Sequence, residues 1–175
     1  MGGKYSNTDM TERSFSMILV LLGTQHNEFT RLLEEVENCI NKGIVKEEVI
    51  VQAGFTKFET DKMQVFDMIS QDILNDYIDK ANLIITHGGV GSIIVALKKK
   101  KKVIAVPRLS KYNEHVNDHQ KQIVEVFNKK EFLIGIQDVV ELSKAIEKIE
   151  TFIPKEYKSN NKKMIDIIDK FIENI

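Results

Sequence analysis

The sequence predicts an α/β domain: a single Rossmann-like unit with a parallel sheet of about six strands, covered by helices on both faces. Three observations predict it. Short apolar runs alternate with segments of helical period along almost the whole chain. The runs are apolar throughout rather than at every second position, as strands buried on both faces require. Glycine, proline or polar clusters stand where strand should give way to helix.

Taken in order, Met17–Leu22 is an apolar run ending at Gly23, the first strand. From Asn27 to Lys42 the apolar positions Phe29, Leu32, Leu33, Val36, Cys39 and Ile40 have helical spacing, and Gly43 sits where a helix should stop. Strands are expected at Glu48–Ala53 and Val65–Ile69, a helix at Asp72–Lys80, and a strand at Asn82–Thr86. A helix over Gly91–Lys99, a strand at Lys102–Val106 and a helix over Asn117–Lys129 follow. The series closes with a short strand at Phe132–Ile136, a helical Val139–Ile149, and an amphipathic helix over Lys162–Ile172. The apolar face of that last helix (Met164, Ile165, Ile168, Phe171, Ile172) suits packing on its own domain or docking on a partner.

The 175 residues suit one domain with a sizeable core. A net charge of −1 creates no field that would draw nucleic acid or a membrane. Cys39 is the single cysteine, which excludes an internal disulfide and fits a reducing compartment. No apolar run is long enough to span a bilayer, so a soluble or peripheral protein is expected. Met1–Ser16 is polar and aperiodic and lacks the apolar centre of a secretory signal. It reads as a disordered tail or a cloning remnant, with Met17 a natural start. The expected organisation is tail 1–16, Rossmann-like domain 17–150 and helical extension 151–175.

In a doubly wound sheet, ligands lie beyond the carboxyl ends of the strands. The loops to search are therefore Gly23–Asn27, Gly54–Lys57, Ser70–Gln71, His87–Ser92 and Pro107–Asn117. In Gly88-Gly89-Val90-Gly91-Ser92 a strand meets a helix start; the glycines let a ligand approach the backbone, and Ser92 suits a helix cap or a phosphate contact. A bare turn without a ligand is the plainer reading. The segment is not a P-loop, since no Gly-Lys-Ser/Thr follows, and it lacks the acidic residue of a dinucleotide fingerprint. Gly23-Thr24-Gln25-His26-Asn27 offers amides and a hydroxyl, with Asn27 as a candidate helix cap and His26 as either a base or an idle loop imidazole. His115, Asp118 and His119 are spaced i, i+3, i+4, yet nothing completes a metal site, so no metal is expected; Asn117 or Asp118 as a helix cap is the simpler account. The five lysines Lys98–Lys102 read as a solvated helix end, or more sharply as a patch for an anionic membrane.

Four segments in this order carry a family likeness: Leu22-Gly23-Thr24-Gln25, Val51-Gln52-Ala53-Gly54, Ile84-Ile85-Thr86-His87-Gly88-Gly89-Val90-Gly91-Ser92 and Asn117-Asp118-His119-Gln120. From Met17 to about Ile149 the chain resembles the donor-binding, C-terminal half of inverting GT-B glycosyltransferases. The likeness is to the glycosyltransferase family 28 C-terminal domain, and within it to the soluble subunits of two-part UDP-N-acetylglucosamine transferases and their bacterial capsule and exopolysaccharide relatives. The resemblance implies a UDP-sugar donor, with no cofactor and no metal.

It also implies roles for particular residues. Gly23, Thr24, Gln25, His87, Gly88, Gly89, Gly91 and Ser92 would face the diphosphate and sugar. Gln52 and Gly54 would belong to the same site, and the backbone of Met68 and Ile69 would line the uracil slot. Asn117, His119 and Gln120 would meet the donor sugar or phosphate. The catalytic base would be His26, His87, Glu114, His115 or a residue of a partner. That partner is implied as a membrane-anchored subunit carrying the acceptor half, with a lipid-linked saccharide acceptor at the cytoplasmic membrane face and no nucleic acid.

Two positions depart from the family pattern. Val95 stands where an acidic residue usually holds the ribose hydroxyls, and valine accepts no hydrogen bond. Lys100 stands where glycine is common. Val95 motivates an alternative: a non-catalytic nucleotide-sugar-binding or stabilising subunit. An epimerase of the same architecture would need both halves in one chain, and a redox Rossmann protein lacks the glycine spacing here.

Overall fold

The computed structural model describes residues 17–158 and residue 166. The tail Met1–Ser16 and the helix expected over Lys162–Ile172 lie outside the described residues, apart from Asp166, which is helical. The strands are β1 (Met17–Leu21), β2 (Glu48–Gln52), β3 (Gln64–Phe66), β4 (Leu83–His87), β5 (Lys102–Val106) and β6 (Ile134–Gly135). The helices are α1 (Thr30–Asn41), α2 (Gln71–Lys80), α3 (Val90–Lys98), α4 (His119–Lys129) and α5 (Leu142–Ile149), with short 3-10 turns at Ser110–Tyr112 and Val139–Glu141.

All six strands are parallel, in the order β3-β2-β1-β4-β5-β6. The strand order reverses between β1 and β4, and that reversal opens a crevice at their carboxyl ends. The register places Leu21 beside both Gln52 and Thr86, so the loops after β1, β2 and β4 start at one level.

Two cores follow from strand alternation. Ile18, Val20, Val49, Val51, Ile85 and Ile104 face α1 and α5, where they meet Phe29, Leu33, Val36 and Ile146. Leu19, Leu21, Ile50, Ile84, Val103 and Ala105 face α2, α3 and α4, where they meet Ile78, Ile93, Ala96 and Phe127.

The expected architecture stands; several boundaries move. The third strand is Gln64–Phe66 rather than Val65–Ile69, because it is an edge strand that pairs only with Ile50–Gln52. Beyond it Asp67 O accepts the Gly54 N–H at 2.8 Å, and Met68 and Ile69 fall in the loop. The first helix begins at Thr30, not Asn27. Phe29 holds the cap position with its N–H donated to Thr56 Oγ1 at 2.9 Å, while Asn27 gives its side-chain amide to Asn113 O at 2.7 Å.

Three helices end in the same way. At α1 the Gly43 and Ile44 amides return to Ile40 and Cys39, a Schellman motif with Gly43 at φ 71°. α3 and α4 repeat the pattern with Lys100 (φ 55°) and Glu131 (φ 59°) in the left-handed position that glycine favours.

The lysine run is less solvated than expected. Lys99 Nζ reaches Asp79 at 2.7 Å, Lys101 Nζ donates to Asp79 O and Ala81 O, and Lys102 Nζ donates to Ile149 O and Glu150 O. These ammonium groups close the carboxyl ends of α2 and α5, where the helix dipole favours a cation.

Candidate nucleotide-sugar site

A cavity of about 380 Å³ occupies the crevice between β1 and β4. The loop after β1 supplies Gly23, Thr24 and Gln25, and the end of β2 supplies Gln52. The loop before α2 gives Met68 and Ile69; the turn after β4 gives His87, Gly89, Gly91 and Ser92. Gln71, from the Ser70–Gln71 segment marked for search, and Leu74 of α2, which sequence reasoning missed, complete the lining. A second hollow of about 260 Å³ shares Gln71, Leu74, Gly91 and Ser92 and adds Leu21, Ile78 and Val95. Val95 is 37% exposed there.

Gly89 is the N-cap of α3 and has no side chain to close the helix end. The first-turn amides of Val90, Gly91 and Ser92 therefore have no intrahelical acceptor, and the helix presents its positive end to the crevice. This is an anion-binding arrangement. Ser92 does not cap α3: its hydroxyl lies 3.4 Å from His87 Nε2.

His87 occupies the centre of the wall. Its Nδ1 accepts the Gly89 N–H at 3.1 Å and lies 3.3 Å from Gln120 Nε2. The ring is packed so closely between two glycines that a Cβ at Gly23 would stand 2.6 Å from Nε2, and one at Gly89 only 2.1 Å from Cε1. Burial, the nearby Arg108 charge and His115 push its pKa down to about 4, against the opposing Gln120 hydrogen bond. The imidazole is neutral at pH 7.

Gln52 serves the loop rather than the open space. Its Oε1 accepts the Gly23 N–H at 3.2 Å and its Nε2 donates to Gly23 O at 3.1 Å. Gly54 packs directly on that bend, since a Cβ there would sit 2.2 Å from Gly23 O. Gly54, Gly88, Asn117, His119 and Gln120 stand outside the cavity lining. Gln120 is buried, and Asn117 Oδ1 accepts the His119 N–H at 3.2 Å.

The four imidazole and carboxylate candidates are separated by the fold. His26 is exposed in the loop after β1, next to Gln25 but outside the cavity lining, and packs on Phe55 with ring centroids 4.3 Å apart. His87 lies in the wall. His115 is half-buried in the loop after β5, its Nδ1 accepting the Asn117 N–H. Glu114 is buried and receives both a two-pronged ion pair from Arg31, at 2.8 and 3.0 Å, and the Leu109 N–H at 2.9 Å.

Asp118 sits at the N-cap of α4 but turns its carboxylate to the Ser110 N–H and hydroxyl, which together lower its pKa. His115, Asp118 and His119 are not drawn together, and among the described residues no cluster of three metal-ligating side chains forms.

Arg108 was also missed by sequence reasoning. It is 1% exposed and donates to Leu22 O at 2.8 Å, Asn27 O at 2.7 Å and Glu114 O at 3.3 Å, over the face of Phe29. Burial lowers its pKa to about 10, so it stays charged at pH 7. It ties the loop after β1 to the loop after β5. One signal was available: the chain has three arginines against 22 lysines, and Arg31 and Arg108 are two of them. A planar fork suits such multi-point sites better than an ammonium.

Among the described residues no helix is long and apolar enough to cross a membrane. No curated protein matches the chain. Solved structures do. The glycotransferase of kitacinnamycin is 16% identical, with a TM-score of 0.54, over 98% of this chain and 42% of that one. The UDP-GlcNAc 2-epimerase of Methanocaldococcus jannaschii, solved with UDP-GlcNAc and UDP, is 17% identical with a TM-score of 0.58, over 90% and 46%. The solution structure of ALG13 is 18% identical with a TM-score of 0.59, over 87% of this chain and 94% of that one. The chain thus spans less than half of the first and second of these proteins and nearly all of the third. At these identities the likeness establishes the fold, the C-terminal half of a GT-B glycosyltransferase. The model of the glycosyltransferase family 28 C-terminal domain matches residues 17–175, and the chain belongs to that family.

Proposed function

We propose that the protein is the donor-binding subunit of an inverting UDP-sugar transferase and works with a membrane-anchored partner on a lipid-linked saccharide. The observation that carries this reading is the open amino end of α3 beside the neutral His87, at the β1/β4 reversal. The amides of Val90, Gly91 and Ser92 take the pyrophosphate. His87 contacts an anionic oxygen, the Gly23–Gln25 loop closes over the sugar side, and Met68 and Ile69 line the uracil. As the acceptor hydroxyl attacks the anomeric carbon, the bond to UDP breaks and charge grows on the leaving oxygen, where preset donors stabilise it.

The acceptor proton goes to a base, which is His26, His115 or a partner group. Glu114 is tied into its ion pair and His87 is needed as a phosphate contact. The chain spans 42% of the kitacinnamycin glycotransferase, and the proposal assigns the acceptor half to the partner. The test is calorimetry of the purified chain with UDP, UDP-N-acetylglucosamine, UDP-galactose and UDP-glucose. Saturable binding of UDP that a free-phosphate control does not reproduce is expected; no UDP binding at millimolar concentration overturns the reading.

A second reading, a binding or stabilising subunit without catalysis, is favoured by Val95, whose apolar side chain lines the hollow beside the cavity. Val95→Glu discriminates. If the slot still takes ribose, the variant binds UDP about tenfold more tightly, roughly 1.4 kcal/mol. Unchanged affinity would favour the second reading.

A further inference from the structure

Gln120 is the second residue of α4, and its amide is fully engaged inside the protein. Its Oε1 accepts two backbone amides, Gly88 N–H and Arg108 N–H, each at 3.0 Å. Backbone N–H groups only donate, so they decide which end of the side-chain amide is oxygen. The NH₂ end then faces His87 Nδ1 at 3.3 Å. A third backbone donor, Gly89 N–H, meets the same Nδ1 at 3.1 Å.

A ring nitrogen that receives two N–H groups carries no proton of its own. The single proton of the neutral imidazole must therefore sit on Nε2. That atom lies 3.4 Å from Ser92 Oγ and under Gly23, at the cavity wall. We infer that Gln120 is a positioning residue: it fixes His87 as the Nε2–H tautomer and so makes the ring a hydrogen-bond donor toward the cavity. The ligand assigned to that donor, a diphosphate oxygen, rests on the nucleotide-sugar reading; the tautomer does not.

Three consequences follow from the geometry. His87 cannot take a proton from an acceptor, because its one free lone pair points back into the protein. Charging the ring would put a proton on Nδ1, against two N–H groups, with Arg108 and His115 of the loop after β5 also facing it. Gln120, only 5% exposed, reaches the ligand through His87 rather than by contact.

The experiment is long-range ¹H–¹⁵N correlation NMR on the labelled full chain at pH 7, read together with UDP calorimetry. In the wild type, His87 Nδ1 should resonate as an unprotonated and Nε2 as a protonated nitrogen. Gln120→Glu keeps an oxygen for Gly88 and Arg108 but turns an acceptor toward Nδ1. The ring proton should move to Nδ1, with UDP affinity falling at least tenfold. His87→Gln, which keeps a donor at the Nε2 position, should hold affinity within about threefold, whereas His87→Asn should lose at least tenfold.

A protonated Nδ1 in the neutral wild-type ring overturns the proposal even if no variant folds. So does a Gln120→Glu protein that loses affinity while the tautomer is unchanged. A wild type with the expected tautomer and no UDP binding overturns the nucleotide-sugar reading and leaves the lock intact.

Discussion

Arg31 grips Glu114 with two nitrogens, at 2.8 and 3.0 Å, across 83 residues of sequence. A third nitrogen reaches Asp138 at 2.8 Å, and the guanidinium lies 4.4 Å from the centre of the Tyr112 ring. The pair fastens the loop after β5 to α1, while Glu114 orders that loop from within through the Leu109 N–H. Desolvation opposes the raised pKa that Glu114 and Asp138 give Arg31.

Arg31→Met should therefore cost about 3 kcal/mol, since a buried carboxylate loses its partner. Arg31→Lys keeps the charge but not the fork and should recover less than half of that loss. Urea denaturation of the three proteins checks both values. A loss below about 1 kcal/mol for Arg31→Met would mean that the pair is screened like a surface one.

His87 makes stability depend on pH. Its pKa falls from an ordinary 6.5 to about 4 on folding. Between those values the unfolded chain binds the proton and the native chain does not, so stability is full above about pH 6.5 and falls as pH drops toward 4. The contribution at full separation of the two values is about 3 kcal/mol. Denaturation midpoints at pH 7 and pH 4.5 should differ clearly in the wild type and much less in His87→Gln. Asp118, whose pKa is lowered, acts in a window below the ordinary carboxylate range and does not blur the comparison.

Lys100 carries backbone strain at φ 55° in the closing turn of α3. Lys100→Gly removes the clash of a Cβ in the left-handed region, at the cost of a more flexible unfolded chain. A net gain of about 0.5 kcal/mol is expected, read as a higher melting temperature. The exposed ion pair with Glu156, at 3.5 Å, is too solvated to reverse the sign.

The sheet was legible because each of its layers is written locally. Continuous apolar runs mark strands buried on two sides, and Gly43 closes α1 at the expected residue. The errors cluster where distant chain decides. Asn27 has the chemistry of a cap, but Thr56 supplies the hydroxyl from 27 residues away. Val65–Ile69 has strand composition, yet the ladder with β2 ends at Gln52, and after the Gly54 N–H bond to Asp67 O the chain turns away at Gly54 (φ 61°).

The candidate site was legible as a set of loops, since the motifs place Gly23–Gln25 and His87–Ser92 at strand ends. Arg108 was not, because its partners Leu22 O and Asn27 O are 86 and 81 residues away and a lone arginine after a proline has no local signature. Leu74 was missed for a related reason: it enters the cavity by the angle of α2, which no spacing rule encodes.

Gly91 differs from the other glycines of the crevice. A Cβ at Gly23, Gly88 or Gly89 would collide with His87 or Gln120, whereas one at Gly91 would meet nothing within 4 Å. Folding and ligand capture are thus separable at this single position. Gly91→Ala fills only vacant volume and removes a helix-weakening residue, so the apoprotein should melt higher while UDP binds more weakly. The glycine trades rigidity for room, and enlarging that side chain stepwise would grade the size of nucleotide the crevice admits.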